Sequence, residues 1–318
     1  MTYRALGNSG LMVSAIGLGC NNFGRKQTAT YTQEGTTAVI HAALDAGITL
    51  FDTADIYGAE PGLSETLMAH AIEGRRDELV LATKFGMSMD GANGPDWGAR
   101  GSRRYIRTAV EASLRRLRTE WIDLYQFHEP DPHTPIEETL ATLSDLIAEG
   151  KVRYIGHSNL SGWQIVDAHR AAQIAAHPAF VSAQNEYSLL RRDAESEVLP
   201  AVRHCGLGFL PYFPLHNGLL TGKYSADTRP ADGRITTQKA AILETAPWDA
   251  IEAYRKFCQA RDITMVQATF SWLLAQPALA SVIAGATTPE QVRANAATAQ
   301  GWDPSADELD EISTIFQA

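Results

Sequence analysis

The chain has 318 residues, 37 of them acidic against 27 basic, with a net charge of −10 and a pI near 5.4. That balance excludes nucleic acid as a general partner, because phosphate binding needs a basic surface. A hydrophobic content of 45% is ordinary for a globular chain and ample for a core, and the length suits one large α/β barrel or two smaller domains.

Taken in chain order, Tyr3–Leu6 and Leu11–Ser14 flank Gly7-Asn8-Ser9-Gly10, which predicts a hairpin able to plug one mouth of a barrel. Strand-like runs then alternate with helical ones: Ala15–Gly19, Thr49–Asp52, Val80–Lys84, Ile122–Phe127, Val152–Gly156, Phe180–Gln184, Gly208–Tyr212 and Ser281–Ala284. Eight βα units favour a closed parallel barrel over an open sheet. The run Arg115-Arg116-Leu117-Arg118 reads as a solvated helix face. Thr134-Pro135-Ile136-Glu137 predicts a capping box, opening a helix that buries Leu140, Leu143 and Ile147 and stops at Gly150. Ser161-Gly162-Trp163-Gln164 and Thr288-Pro289-Glu290-Gln291 repeat that box.

Two connections, Gly86 to Gly101 and Asn217 to about Gln238, are long for βα loops and predict a lid or binding role. No Gly/Ser linker divides the chain, so residues 1–318 are expected to form a single domain.

Three scattered cysteines (Cys20, Cys205, Cys258) fit neither a disulfide framework nor a zinc site, and they suit a reducing compartment. Met1-Thr2-Tyr3-Arg4 lacks a secretory apolar region, so the expected location is the cytoplasm. The most apolar window, Met265 to Ala286, is broken by Gln267, Gln276 and Pro277, which predicts a buried helix and strand rather than a membrane span.

The chemistry concentrates in three runs: Phe51-Asp52-Thr53-Ala54-Asp55-Ile56-Tyr57-Gly58, Leu79-Val80-Leu81-Ala82-Thr83-Lys84, and Leu124-Tyr125-Gln126-Phe127-His128-Glu129-Pro130-Asp131. Each is apolar and ends abruptly in polar groups. The carboxyl ends of parallel barrel strands open on one face, so Asp52, Tyr57, Lys84 and His128 would converge there. Lys84 would pair with Asp52, and the ammonium would pull down a phenol pKa that is otherwise about 10. Taken singly, each residue has a plainer use: core aromatic, exposed lysine, helix cap, turn histidine.

These runs resemble the aldo-keto reductase family, closest in pattern to its bacterial members related to channel β-subunits. Four further segments carry the resemblance: Tyr154-Ile155-Gly156-His157-Ser158-Asn159-Leu160-Ser161, Gln184-Asn185-Glu186-Tyr187, Pro214-Leu215-His216-Asn217-Gly218-Leu219-Leu220-Thr221-Gly222-Lys223 and Gly285-Ala286-Thr287-Thr288-Pro289-Glu290-Gln291-Val292. It extends from the hairpin to about Asn295. The resemblance implies a (β/α)8 TIM barrel with long loops over the carboxyl-terminal face, and NAD(P)H-dependent reduction of aldehyde or ketone carbonyls, with Tyr57 as general acid and His128 orienting the carbonyl.

It further assigns Ser158, Asn159 and Gln184 to the nicotinamide carboxamide and Tyr212 to a stacking role. Pro214, Leu215, Gly218, Leu220 and Lys223 would follow the pyrophosphate, with Gly19, Cys20, Asn21 and Asp52 at neighbouring strand ends. Gly285, Thr287, Gln291 and Asn295 would meet the adenosine. Family weight favours NADP(H). NAD(H) stays open, because Gly285, Ala286, Thr287 and Thr288 are uncharged and Gln291 stands where arginine is common. His157 and Phe213 depart from the apolar and small residues usual at their positions. Tyr57, His128, Trp97 and Phe85, with Phe23, would bound the substrate, a small carbonyl compound or alcohol.

Competing chemistries explain less. No His-x-His pair supports a metal hydrolase, and a Schiff-base role for Lys84 leaves Asp52, Tyr57 and Ser158-Asn159 idle. Gly17-Leu18-Gly19 is not an open-sheet dinucleotide fingerprint. A cofactor-binding regulatory subunit of the same fold and an NAD-dependent sugar or alcohol dehydrogenase remain alternatives. No feature of the sequence sets an oligomeric state.

Overall fold

In the computed structural model, residues 1–231 and 233–317 are described. Strand β1 (Tyr3–Ala5) pairs antiparallel with β2 (Met12–Ser14). Gly7 turns the chain between them at φ +60°, and a Cβ there would lie 2.5 Å from the Gly208 nitrogen, so only glycine fits this approach.

Among the described residues eight parallel strands follow. They are β3 (Ile16–Gly19), β4 (Leu50–Asp52), β5 (Val80–Phe85), β6 (Ile122–Phe127), β7 (Val152–Ser158), β8 (Ser182–Gln184), β9 (Gly208–Phe209) and β10 (Val282–Gly285). Each lies beside its successor, and β10 returns to β3. Closure comes where Phe209 bridges Leu279 and donates its N–H to Ala278 O at 2.8 Å. The expected strand to Tyr212 stops at Phe209, because Pro211 has no N–H for the ladder.

Helices α1 (Gln33–Asp45), α2 (Leu63–Ala71), α3 (Arg103–Leu117), α4 (Ile136–Ala148), α5 (Gly162–Ala175) and α6 (Val198–Cys205) alternate with the strands. Four more, α7 (Arg234–Gln238), α8 (Ala241–Glu244), α9 (Trp248–Gln259) and α10 (Met265–Leu274), separate β9 from β10. After β10 come α11 (Pro289–Ala297) and α12 (Ala306–Ile315). The long connection expected from Asn217 is therefore partly helical, with a 3-10 turn at His216–Thr221 and α7 at its end. The apolar window divides into α10 and β10, and among the described residues no helix is long and apolar enough to cross a membrane.

Strand side chains alternate between two cores, as a two-residue period requires. Leu50, Ala82, Leu124, Leu210 and Ile283 fill the barrel interior, and Leu6 and Val13 of the hairpin pack beneath them. Phe51, Leu81, Phe85, Tyr125, Phe127 and Ile155 face outward into the larger core under the helices.

Three local expectations need correction. Thr134 does not cap α4: Pro135 holds the cap position and the Thr134 hydroxyl donates to Asp131 Oδ2 at 2.6 Å. A nearby carboxylate outcompetes the helix amides for that hydroxyl. In α11, Thr288 does accept from the Gln291 N–H at 3.3 Å, but the Gln291 side chain turns to Thr287 instead of closing the box. The box at Ser161 is complete. Arg116 is not a solvated charge; its Nε donates to the fully buried Glu65 at 2.6 Å, while Arg115 and Arg118 stay exposed.

Candidate active site

Register decides which groups meet. Lys84 of β5 stands opposite Gln126 of β6, and Gly19 of β3 opposite Asp52 of β4. Asp52, Lys84, Gln126 and Gln184 share the inward face with the Leu50–Ala82–Leu124 layer, one step nearer the carboxyl-terminal mouth. Lys84 Nζ donates to Asp52 Oδ2 at 2.6 Å and to Thr53 O at 2.8 Å. Asp52 Oδ1 accepts from Gln126 Nε2 at 2.9 Å and Gln184 Nε2 at 3.0 Å. The buried carboxylate is thus met on both oxygens, which its desolvation demands.

Tyr57 lies on the loop after β4, fixed by its N–H to Ala54 O at 3.2 Å and by Ser64 N–H to its own carbonyl at 3.0 Å. Its ring sits edge-on to His128 with centroids 5.9 Å apart, and Lys84 Nζ is 5.1 Å from the ring centroid. Burial drives the phenol pKa up, against the pull of the Lys84 ammonium, and the net direction is upward. The expected lowering is therefore not the net result: burial outweighs the Lys84 ammonium, and Asp52 adds to the rise. A phenol held protonated is suited to donating a proton. Burial pulls Lys84 down, but Asp52 and Tyr57 outweigh it and leave the ammonium above its ordinary pKa. Burial and the nearby Lys84 charge hold His128 neutral, far below its ordinary pKa, with Nδ1 buried and unpartnered among the described residues.

Beside His128 the strand-end polar groups form one chain. Tyr212 OH donates to Asn159 Oδ1 at 2.9 Å; Asn159 Nδ2 donates to His128 O at 3.0 Å and to Ser158 Oγ at 3.1 Å; Ser158 Oγ donates to Gln184 O at 2.8 Å. Asn159 adopts φ +61°, the left-handed form that asparagine tolerates. Ser158, Asn159, Gln184 and Tyr212 are therefore brought together next to His128.

The remaining expected residues fall into groups. Gly19 and Cys20 close β3, where the Cys20 N–H donates to Asp52 O at 2.8 Å and burial pushes the thiol well up. Asn21 follows them, half-buried. Pro214 is buried, while Leu215 O accepts from the Gly218 N–H at 2.9 Å in a turn where His216, Asn217 and Gly218 all have positive φ. Lys223 is exposed over the Tyr224 ring. Leu220 is fully buried in the outer core, so no side-chain contact at the mouth is open to it. Gly285, Thr287 and Gln291 lie together at the β10–α11 turn, where Gln291 Oε1 accepts from the Thr287 N–H at 2.8 Å and Thr287 Oγ1 at 3.1 Å. Asn295 is nearly buried on α11.

Of the proposed substrate walls, Phe85 and Phe23 are packed in the outer core, while Trp97 is exposed on its loop. Phe85 points outward, stacked on Tyr125 and Phe127, since it is the neighbour of inward-facing Lys84. Phe23 is fully buried in the same outer core. Trp97 is 75% exposed, with the Arg104 guanidinium 4.2 Å from its ring centroid.

Two sets of residues escaped the sequence reading. Gln126 bridges Asp52 and Gln184, and its signal was a polar residue in strand register with Lys84. Behind the site, Thr83 Oγ1 donates to Glu65 at 2.7 Å, Arg116 reaches both Glu65 and Asn93, and Asn93 Nδ2 donates to Asp55 Oδ2 at 3.0 Å. That chain ties the Tyr57 loop to the Gly86–Gly101 loop. It had no sequence signal, because its members are far apart in the chain. Among the described residues no three His, Cys, Asp or Glu side chains cluster as a metal site.

A closed parallel barrel with an aspartate–lysine pair, a tyrosine and a histidine at its carboxyl-terminal mouth defines a class. Residues 15–315 match the aldo/keto reductase family, and the chain belongs to it: it is an NAD(P)-dependent oxidoreductase of that family. It is 39% identical over 300 residues to an uncharacterized oxidoreductase, YrpG, of Bacillus subtilis (strain 168), covering 92% of this chain and 89% of that one. It is 37% identical to probable aldo-keto reductase 1 of Glycine max, over 85% of this chain and 76% of that one. It is also 33% identical to L-glyceraldehyde 3-phosphate reductase of Escherichia coli (strain K12), over 98% and 91%.

Proposed function

We propose that the protein reduces aldehyde or ketone carbonyls to alcohols, reversibly, with Tyr57 as the proton donor. The observation that carries this is the Asp52–Lys84 pair at 2.6 Å beneath a Tyr57 ring that meets His128 edge-on. The residues fit a nicotinamide. Tyr212 presents a half-buried aromatic face, and Ser158, Asn159 and Gln184 beside it offer amide-compatible donors and acceptors. An amide ligand would exchange its own bonds for those linking Tyr212, Asn159 and Ser158. Bound there, a reduced nicotinamide supplies a hydride to the carbonyl carbon.

As the carbonyl oxygen gains charge, Tyr57 gives it the phenolic proton, and Lys84 stabilises the tyrosinate left behind. Neutral His128 offers a hydrogen bond that orients the carbonyl. Asp52 keeps Lys84 charged in a site where burial alone would neutralise it. The backbone turn at His216–Gly218, with Lys223 nearby, suits the pyrophosphate. Gly285, Thr287, Gln291 and Asn295 suit the adenosine, with NADP(H) favoured and NAD(H) accepted. Three unpaired thiols support a cytoplasmic setting. Two relatives carry the name L-glyceraldehyde 3-phosphate reductase, which makes small hydroxyaldehydes sensible first substrates.

The test mixes protein, NADPH or NADH, and a panel of reactive aldehydes, following loss of nicotinamide absorbance. Turnover supports the reading. Tight cofactor binding without turnover on any aldehyde would favour the regulatory-subunit alternative.

A further inference from the structure

Charges around the mouth are nearly all matched. Lys84 is balanced by Asp52, and Arg100 by Asp96 and Glu129. Behind the mouth, Arg116 is balanced by Glu65. Arg25, in the loop between β3 and α1, has no such match. Its side chain is half-buried, yet its guanidinium has no hydrogen bond or ion pair among the described residues.

The loop itself is held firmly. Gly24 N–H donates to Thr30 O at 2.8 Å, Arg25 N–H donates to Asn22 O at 3.2 Å, and the Arg25 carbonyl accepts from Thr28 Oγ1 at 2.8 Å. Ala59 N–H donates to Gly24 O at 2.8 Å, which places Arg25 directly beside the loop that carries Tyr57. Burial lowers the Arg25 pKa. None of the guanidinium's five donors is used within the described residues, and its nitrogens are not shut off from solvent, so an anionic ligand can take them up without breaking an existing pair. Its planar fork matches carboxylate and phosphate oxygens.

We propose that Arg25 is a specificity-determining residue that binds the anionic end of the substrate, so that the preferred substrates are short aldehydes bearing a carboxylate or a phosphate ester. The proposal rests on the reductase reading above and deepens it. Arg25 would hold the substrate tail while Tyr57 and His128 meet the carbonyl. The exposed Lys26 next in the chain adds positive field at the same edge of the mouth.

The experiment compares kcat/KM for matched pairs in wild type, Arg25→Met and Arg25→Lys. 4-Oxobutanoate against its methyl ester tests the carboxylate; glyceraldehyde 3-phosphate against glyceraldehyde tests the phosphate. Wild type should favour the charged member of at least one pair by about 10- to 150-fold, the worth of one charge-assisted contact, mainly through KM. Arg25→Met should bring that ratio near one, and Arg25→Lys should restore part of it. Which pair responds tells carboxylate from phosphate.

The assignment is overturned if both members of each pair fall together in Arg25→Met, or if wild type shows no anion preference. It is also overturned if Arg25→Met loosens NADPH but not NADH, since Arg25 would then hold the cofactor. Absence of turnover on every aldehyde is a separate result that sinks the reductase reading. In that event calorimetric titration of 4-oxobutanoate and its ester into the cofactor complex still decides the role of Arg25. Tighter binding of the acid, lost in Arg25→Met, upholds it, and equal binding removes it.

Discussion

At the barrel axis Asp52, Lys84, Gln126 and Gln184 are each at most 3% exposed, and every one is bonded to another of the set. At the β10–α11 turn, the other end of the proposed cofactor track, Gly285 and Gln291 are exposed, Thr287 is half-buried, and the side-chain bonds run between near neighbours. The first region is a network in a low-dielectric interior, where removing one member strands the others. The second is a helix cap that tolerates change, because water can replace what is lost. Chemistry common to a family belongs in the first kind of place, and cofactor choice can be adjusted in the second without disturbing it.

The sharpest way to break that contrast is Lys84→Met. It leaves Asp52 as a buried carboxylate facing only two amide donors, and breaking a buried pair costs about 3–5 kcal/mol. The variant should lose most carbonyl reduction and unfold at markedly lower denaturant than wild type. Full activity with unchanged denaturation would show that the Asp52–Lys84 contact is not what holds the axis together.

Tyr57→Phe separates chemistry from architecture at the same end. The ring still fills its place beside His128, and the phenol is the proposed proton donor. The rate should fall by the roughly 10²–10⁴-fold typical of general acid catalysis, with cofactor affinity and stability nearly kept. Turnover at the wild-type rate would remove Tyr57 from the mechanism.

How legible each region was follows from the same contrast. The alternation of apolar runs placed all eight strands to within a few residues, and the run ends picked out Asp52, Tyr57, Lys84 and His128. Strand periodicity also determines that Lys84 faces inward and Phe85 outward, yet apolar character alone made Phe85 resemble a pocket wall. Trp97 carries the same ambiguity, because aromatic character does not tell an exposed loop residue with an arginine over its ring from a pocket wall. Gln126 and the Thr83–Glu65–Arg116–Asn93–Asp55 chain depend on contacts across 18 to 74 residues of sequence, which no local pattern encodes.

His157 sharpens the comparison from the outer side of the barrel end. It precedes Ser158 but faces the helices, fully buried against Phe180, with neither ring nitrogen bonded among the described residues. Burial lowers its pKa to about 3. An unfolded chain takes up that proton below about pH 6.5, while the native state does so only near pH 3. Its contribution is therefore complete above about pH 6.5 and drains away as pH falls, at about 1.4 kcal/mol per pH unit until the folded pKa is reached. His157→Leu should narrow the stability gap between pH 7.5 and pH 5 by roughly 2 kcal/mol, read from denaturant midpoints at the two pH values. An identical gap in variant and wild type would mean that the imidazole already finds a proton-stabilising partner.

The smallest effect is expected at the tunable end. Between Gly285 and Thr288 no side chain is charged, and Arg293 is exposed with Glu290 3.6 Å away. One missing charge-assisted phosphate contact corresponds to about 1.5–3 kcal/mol before solvent screening, so discrimination against NAD(H) should be modest in wild type. Thr287→Lys adds a cation while keeping the backbone N–H that Gln291 accepts, so the start of α11 should be preserved. NADP(H) should then bind about tenfold tighter, with NAD(H) little changed, because only the former carries the extra phosphate. Fluorescence titration of both cofactors against both proteins reads this directly, and the tightening should shrink as salt is raised. A wild-type preference for NADP(H) of about a thousandfold, roughly 4 kcal/mol, would be more than an uncharged turn can supply. It would mean that a basic group outside residues 285–288 already grips the phosphate, and that the adenosine end has no more freedom to change than the barrel axis.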